Sequence, residues 1–197
     1  MKKVLLTLSV LFLISCNSEK EFPLRYSYSN IEILESGFFV IDGNNNLVDI
    51  TESIDIDLIE YENAIIQDLE LNAEQEGFQS FDISIDDETT LSYINLNSPE
   101  TLTLEYTQNG SVITFVGNSD VAFRFEDDRD LLQICTDVSV VQKGRAVPPE
   151  IILDYQFNTC IDFESSLENR LMKYIDGNNA PGDTAYIALS AVNFKLK

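Results

Sequence analysis

Residues 101–115 read TLTLEYTQNGSVITF. Over the first half, Leu102, Leu104 and Tyr106 alternate with polar neighbours, the period-2 pattern of a strand with one buried face. Asn109 and Gly110 both tolerate the positive φ of a type I′ turn, so a two-residue loop there predicts a hairpin with Gln108 opposite Ser111. Tyr106 then faces Ile113, Leu104 faces Phe115, and Glu105 meets Thr114 on the other side. Turn chemistry and alternation therefore agree on which residues share a face.

Short runs of the same kind lie on either side of this hairpin. Phe81/Ile83/Ile85 and Leu91 to Leu96 precede it, and Val121/Phe123/Phe125 follows. Two longer runs, Leu131 to Gln142 and Ile151 to Phe163, flank a loop containing Pro148 and Pro149. Paired antiparallel about Val147 and Pro148, they set Val140 against Tyr155, Val138 against Phe157, Thr136 against Thr159 and Ile134 against Ile161. On the opposite face Asp137 meets Asn158, and Cys135 falls directly against Cys160. Opposed residues of an antiparallel pair bring Cβ atoms to about 4.5–5.5 Å, close to disulfide reach. A Cys135–Cys160 bridge is the expectation. Thr184 to Leu196 is a final strand, with a bulge expected near Ser190, where the apolar set changes from Ile187/Leu189 to Val192/Phe194/Leu196.

Upstream, Phe38–Ile41 and Leu47–Ile50 flank the turn-rich Asp42-Gly43-Asn44-Asn45-Asn46 and predict another hairpin. Residues 26–34 carry a weaker strand signal, with Tyr26 and Tyr28 on one face. Asp57 with Glu60 three residues later has capping-box spacing. Leu58, Tyr61, Ile65 and Leu69 then recur at helical spacing until Gly77 supplies a stop. The polar face of that helix carries Glu62, Asp68, Glu70, Glu74 and Glu76, the pattern of a solvated acidic stripe. Ser165-Ser166-Leu167-Glu168 predicts a second cap, opening a short helix from Ser165 to Asp176 with Leu167, Leu171 and Ile175 on one stripe and Gly177 at its end.

The fold expected is mainly β, a β-rich α+β chain. It has an antiparallel meander of about eight strands from Phe78 onward, and two amphipathic helices. The last strand runs in the direction needed to pair with the first of the meander and close a barrel; a two-sheet sandwich is the alternative. Alternate loops of a meander share an end, which gathers Asp86-Asp87-Glu88, Asn109-Gly110 and Glu126-Asp127-Asp128-Arg129-Asp130 at one end. The start of the second helix belongs there too. Lys143, Arg145, Lys195 and Lys197 are expected at the other end.

The N-terminus carries a different signal. Lys2 and Lys3 precede an apolar run from Val4 to Ile14, broken only by Thr7 and Ser9. Spanning a bilayer as a helix takes roughly 20 residues, so this shorter run reads as an export signal. It ends at Leu13-Ile14-Ser15-Cys16, which resembles the lipobox of bacterial lipoprotein precursors. The resemblance covers residues 1 to about 20. It implies cleavage before Cys16, lipidation of the Cys16 thiol and acylation of the new amino terminus. Two or more acyl chains give stable anchoring where one is only reversible. On this reading residues 1–15 are the signal peptide, 16–24 a lipidated tether, and 25–197 one β-rich globular domain. The implied location is the cell envelope. Asn17 rather than Asp after the cysteine favours the outer membrane, since Asp there marks inner-membrane retention in the enteric version of the family.

Composition narrows the function. Of 197 residues, 34 are acidic and 12 basic, a formal charge of −22, which argues against gripping a phosphate backbone. Histidine is absent, removing the usual general base and the commonest metal ligand. Ser or Cys nucleophilic catalysis lacks its usual partner, and no Gly-rich phosphate loop is present. Tryptophan is absent as well, so the early Gly-x-Trp of lipocalin-type carriers cannot be present. Asp86, Asp87, Glu88, Glu126, Asp127, Asp128 and Asp130 are the candidate calcium ligands by residue type, although none fits an EF-hand spacing. Charged turns that keep strand ends soluble account for the same residues, and no catalytic residue is assigned. Tyr93, Tyr106, Phe115, Phe123, Phe125, Tyr155 and Phe157 fall on inward faces, as core or as the lining of a ligand cavity.

The expectation is thus a lipid-anchored envelope protein with a non-catalytic binding or assembly role. Its partner would be an envelope protein, a glycan or a small molecule, and no cofactor is assigned. A barrel carrier of an apolar or amphipathic small ligand is one rival, and a carboxylate-based glycan hydrolase is another.

Overall fold

The computed structural model describes residues 21–44, 46–55, 57–126, 129–143, 150–157, 160, 163–175 and 180–197. The lipobox and most of the tether, including Cys16, lie outside the described residues. The chain is mainly β, with ten described strands in one antiparallel sheet. They are β1 (Leu24–Ile41), β2 (Leu47–Asp49), β3 (Phe81–Ile85), β4 (Thr90–Asn95), β5 (Thr101–Asn109), β6 (Val112–Phe115), β7 (Asn118–Glu126), β8 (Leu131–Lys143), β9 (Glu150–Phe157) and β10 (Thr184–Leu196). Two helices, α1 (Leu58–Gln75) and α2 (Leu167–Leu171), complete the described elements, with a single 3-10 turn at Phe78–Ser80.

The strands follow the order β10-β1-β3-β4-β5-β6-β7-β8, and β8 pairs in turn with β10, so the hydrogen-bonded circuit closes. Closure does not run from the last strand to the first of the meander, as the sequence suggests. β1 is inserted between β10 and β3, and the N-terminal segment is part of the ring. β1, β10 and β8 form a long strip that outreaches the other strands. At the end of the strip away from β3 and β7, β2 pairs with the last residues of β1 and β9 with the second half of β8.

Two helices cover this extended end. α1 lays Ile65, Leu69 and Ala73 into the main core with Phe38, Tyr186 and Val138. Its start follows the predicted chemistry, since the Asp57 carboxylate accepts the Glu60 N–H at 3.1 Å. Gly77, at φ +76°, ends it. α2 packs Leu167 and Leu171 on the opposite face, against Phe39, Val141, Ala185 and Ile187. Its cap is Ser166 rather than Ser165, with the Ser166 hydroxyl accepting from Asn169 N–H at 3.3 Å, and the helix stops at Leu171. Gly177 lies outside the described residues.

Because helices cover both faces of the strip, β10 is buried on both sides. This accounts for the apparent change of apolar set near Ser190. Ala185, Ile187 and Leu189 face α2 and the disulfide region, while Tyr186, Ala188, Val192 and Phe194 face the main core. β10 carries no bulge there and pairs with β8 without interruption from Thr184↔Gln142 to Lys195↔Leu131. The register shifts fall on β1, between Tyr28 and Asn30 and between Ile33 and Glu35, the second opposite Ser190 and Leu189.

Two hairpin registers differ from the expected ones by two residues. In β5–β6, Asn109 pairs with Val112 and Tyr106 with Phe115, so Gly110 and Ser111 form the loop. Gly110 has φ +60° and Ser111 is not in the positive-φ region. This matches a type II′ turn, which needs glycine only at its first central position. In β8–β9, Thr136 pairs with Phe157 and Val138 with Tyr155, and β9 ends at Phe157. A slip of two leaves every side chain on its original face. The Cys135–Cys160 disulfide forms all the same, with Cα atoms 4.9 Å apart. Cys160 reaches it from the segment beyond β9, not from a strand position.

Candidate functional site

The acidic loops gather at one end of the ring, as the meander argument requires, but the start of α2 does not join them: Leu167 packs on Phe39, Val141 and Ala185 towards the far end. Tyr106 Oη donates to the Asp87 carbonyl at 2.8 Å, Arg129 Nη2 donates to Gln108 Oε1 at 3.3 Å, and Tyr26 Oη donates to the Arg129 carbonyl at 2.9 Å. Arg129 also lies over Phe125, 5.1 Å from the ring centroid. The expected charge polarisation does not follow. Leu196 N–H donates to the Asp130 carbonyl and Lys197 N–H to the Arg25 carbonyl, so Lys195 and Lys197 sit at the acidic end. After Cys160 the chain returns across the outer face through α2, and β10 therefore starts at the far end and runs back. Lys143 is at that far end, opposite Glu150 in the β8–β9 strand register, and Arg145 lies outside the described residues.

The carboxylates proposed as calcium ligands make local hydrogen bonds. Asp86 accepts from Ser84 Oγ at 2.6 Å and Ser92 Oγ at 2.5 Å. Asp87 Oδ1 accepts from Thr89 N–H, Thr89 Oγ1 and Thr90 N–H at 2.7–2.9 Å, and these bonds, the Thr89 backbone first, hold its carboxyl below the ordinary range. Glu126 is ion-paired with Arg124, whose guanidinium lies 3.7 Å from the Phe163 ring centroid. Glu88 and Asp130 are exposed, and Asp127 and Asp128 lie outside the described residues. Among the described residues no three metal-binding side chains converge.

Two further carboxylates are fully buried and tie parts of the fold together. Asp82 accepts from Arg25 Nε at 2.6 Å, Ser27 Oγ at 2.5 Å and Lys197 Nζ at 2.7 Å, joining β3 to β1 and to the end of β10. Burial alone would raise its pKa, but the hydrogen bonds from Lys197, Ser27 and Arg25 outweigh burial and lower it. Asp137, on the outer face of β8, accepts from Arg170 Nη1 at 2.6 Å and Tyr174 Oη at 3.2 Å. This pair fixes α2 against the strip.

At the other end of the short strands the ring opens. β3 and β4 are only five and six residues long, against thirteen for β8 and β10, so the inner wall stops short there. The β3–β4–β5 registers, with Phe81 opposite Asn95, Ile83 opposite Tyr93 and Tyr93 opposite Leu102, align Phe81, Tyr93 and Leu102 on the inward face. Together with Asn95, Glu100 and Thr101 they line an open groove of about 640 Å³. Its aromatic floor is continuous with the core. Phe81 and Tyr93 are 5.3 Å apart edge to face, Phe81 stacks on Phe194 at 5.9 Å, and Tyr93 meets Phe123 at 6.3 Å. Phe78, in the turn after α1, borders Phe81 and Phe194. Burial pushes the Tyr93 hydroxyl pKa well up.

Leu102 is the informative member. It belongs to the inward set yet is 58% exposed. The rim is a tight loop in which Asn97 N–H donates to Asn95 Oδ1 at 2.8 Å and Asn95 N–H to the Glu100 carbonyl at 3.2 Å. A second, more polar cleft of about 500 Å³ lies between the β1 bulge and α1, lined by Tyr28, Gln67, Glu70, Leu71 and Glu74 among others.

Of the aromatics read as inward, Tyr106, Phe115, Phe123 and Phe125 are buried core, and Tyr93 alone among those described reaches the groove. The side chains of Tyr155 and Phe157 lie outside the described residues. Phe81 and Leu102 were legible as strand residues. Their place at an opening was not, because it depends on the unequal lengths of strands distant in sequence. No helix among the described residues is long and apolar enough to cross a membrane. Comparison with protein-family models, with curated proteins and with solved structures finds no match for this chain.

Proposed function

We propose that this chain is a lipid-anchored protein of the cell envelope that acts by binding rather than catalysis. Its ligand is an apolar or amphipathic small molecule seated on Phe81, Tyr93 and Leu102. The observation that carries the reading is the groove: about 640 Å³, floored by aromatic rings and ending on a largely exposed inward leucine. Small-molecule sites are typically concave, apolar, about 300–1,000 Å³ in size, and edged by a few polar groups. Asn95, Glu100 and Thr101 supply that edge. The Leu13-Ile14-Ser15-Cys16 motif supports the anchor, with acyl chains on Cys16 holding a strongly acidic body to a bilayer.

Titration with the neutral dye N-phenylnaphthylamine tests the binding reading. Enhanced, saturable fluorescence that Leu102→Glu abolishes without changing the circular dichroism supports it. An unchanged signal in the variant, or no signal in the parent, refutes it. The anchor is tested separately. Radiolabelled palmitate entering the expressed chain, and failing to enter Cys16→Ala, is the expected result; equal labelling of both, or of neither, overturns it.

A further inference from the structure

The groove offers a small ligand an apolar seat and, among the described residues, one charged neighbour, and that neighbour is an anion. Among the described residues that line it, Phe81, Tyr93 and Leu102 are the apolar members, Asn95 and Thr101 are neutral, and Glu100 carries the charge; no Lys or Arg is among them. The described basic side chains on the ring lie away from the groove, Lys195 among them at the acidic end. Arg124 pairs with Glu126, Arg25 and Lys197 with Asp82, and Arg129 contacts Gln108 at the opposite end. The chain as a whole carries a formal charge of −22, so the field over its surface repels anions and attracts cations. The faces of aromatic rings attract cations as well.

We infer that the groove selects a cationic amphiphile, an apolar chain or ring bearing an ammonium-type head, and discriminates against fatty acids and other anionic lipids. This rests on the binding role proposed for the same groove. The apolar part lies on Phe81, Tyr93 and Leu102, and the head sits at the rim near Glu100. One exposed carboxylate about 4 Å from a cation in water-like surroundings is worth about fivefold in affinity, and about the same factor against an anion. The preference weakens as salt screens it.

The test is competition against N-phenylnaphthylamine at pH 7 by three probes sharing one chain: dodecylamine, dodecanol and dodecanoate, each below its micelle concentration. In about 10 mM salt, near a Debye length of 30 Å, amine should displace the dye about fivefold better than alcohol, and alcohol better than carboxylate. At about 1 M salt, where the Debye length is near 3 Å, the three should converge. Glu100→Gln should remove most of the advantage of the amine over the alcohol, leaving only what the net charge of the chain supplies, and Glu100→Lys should lower it further. Glu105→Gln, on β5 but on the face opposite Leu102, should leave it in place. Equal affinity of the three probes at low salt, tightest binding by the carboxylate, or an equal effect of Glu105→Gln and Glu100→Gln would each overturn the inference. Failure of the dye and all probes to bind would instead remove the binding role itself.

Discussion

Replacing Cys135 and Cys160 by alanine together removes a link between residues 25 positions apart. The bridge joins β8 to the segment that leads into α2, and α2 covers the outer face of β10. In the loop-closure model, a loop of that length restricts the unfolded chain by about 3.5 kcal/mol at 25 °C. Both sulfurs lie in a fully buried cluster with Ala122 and Leu189, so truncation adds a small cavity cost of the same sign. For a domain of this size, about 3.5 kcal/mol corresponds to a fall in Tm of roughly 7–14 °C. The assay is urea denaturation of the mature domain and of the double alanine variant, with parallel thermal melts. Hydrogen exchange should show the largest loss of protection in α2 and along β10. A change below about 1 kcal/mol refutes the argument, because the unfolded chain would then gain almost nothing from losing the link. Full alkylation of both cysteines in the native oxidised protein would refute it more directly.

Three other perturbations probe separate parts of the fold. Asp82 has a lowered folded-state pKa, so its contribution is present above the unfolded-state value and is lost as pH falls through the folded one. Asp82→Asn should cost about 2 kcal/mol at pH 7 in urea midpoints, a gap that closes as the pH is taken down towards 2; a gap constant with pH would contradict the assignment. Gly110→Ala should cost about 1 kcal/mol because Gly110 has φ +60°, whereas Asn109→Ala should change stability by less than about 0.5 kcal/mol. The reverse order would restore the Asn109-Gly110 loop. Leu69→Ala, at a residue 3% exposed, should cost about 2–5 kcal/mol, and Ile59→Ala, at one 70% exposed, less than about 0.5 kcal/mol; comparable losses would mean that the helix face is misassigned.

Local chemistry carried much of the fold. The Asp57 carboxylate accepts one of the orphan donors of the helix start, and Ile65 and Leu69 recur on its buried stripe. Phe39 pairs with Asp49 and Ile41 with Leu47 around the Asp42 turn, as the residue types on both sides require. These features depend on residues only a few positions apart, where propensity, capping and turn geometry act directly.

What escaped the linear pattern was long-range. Alternation with a period of two tells which face a residue occupies but is indifferent to a slip of two, so both hairpin registers were underdetermined even though their faces were right. Cys135 and Cys160 still found each other, because the chain beyond β9 remains close enough to bridge. From the sequence by itself came the strands from β2 onward, α1 and its cap, the apolar faces of the meander and the cysteine pair, all written in neighbours along the chain. Tertiary structure alone decided the insertion of β1 into the ring, the burial of both faces of β10, and the opening beside Leu102. Each of these depends on where strands distant in sequence end relative to one another, and no local pattern encodes that difference in length.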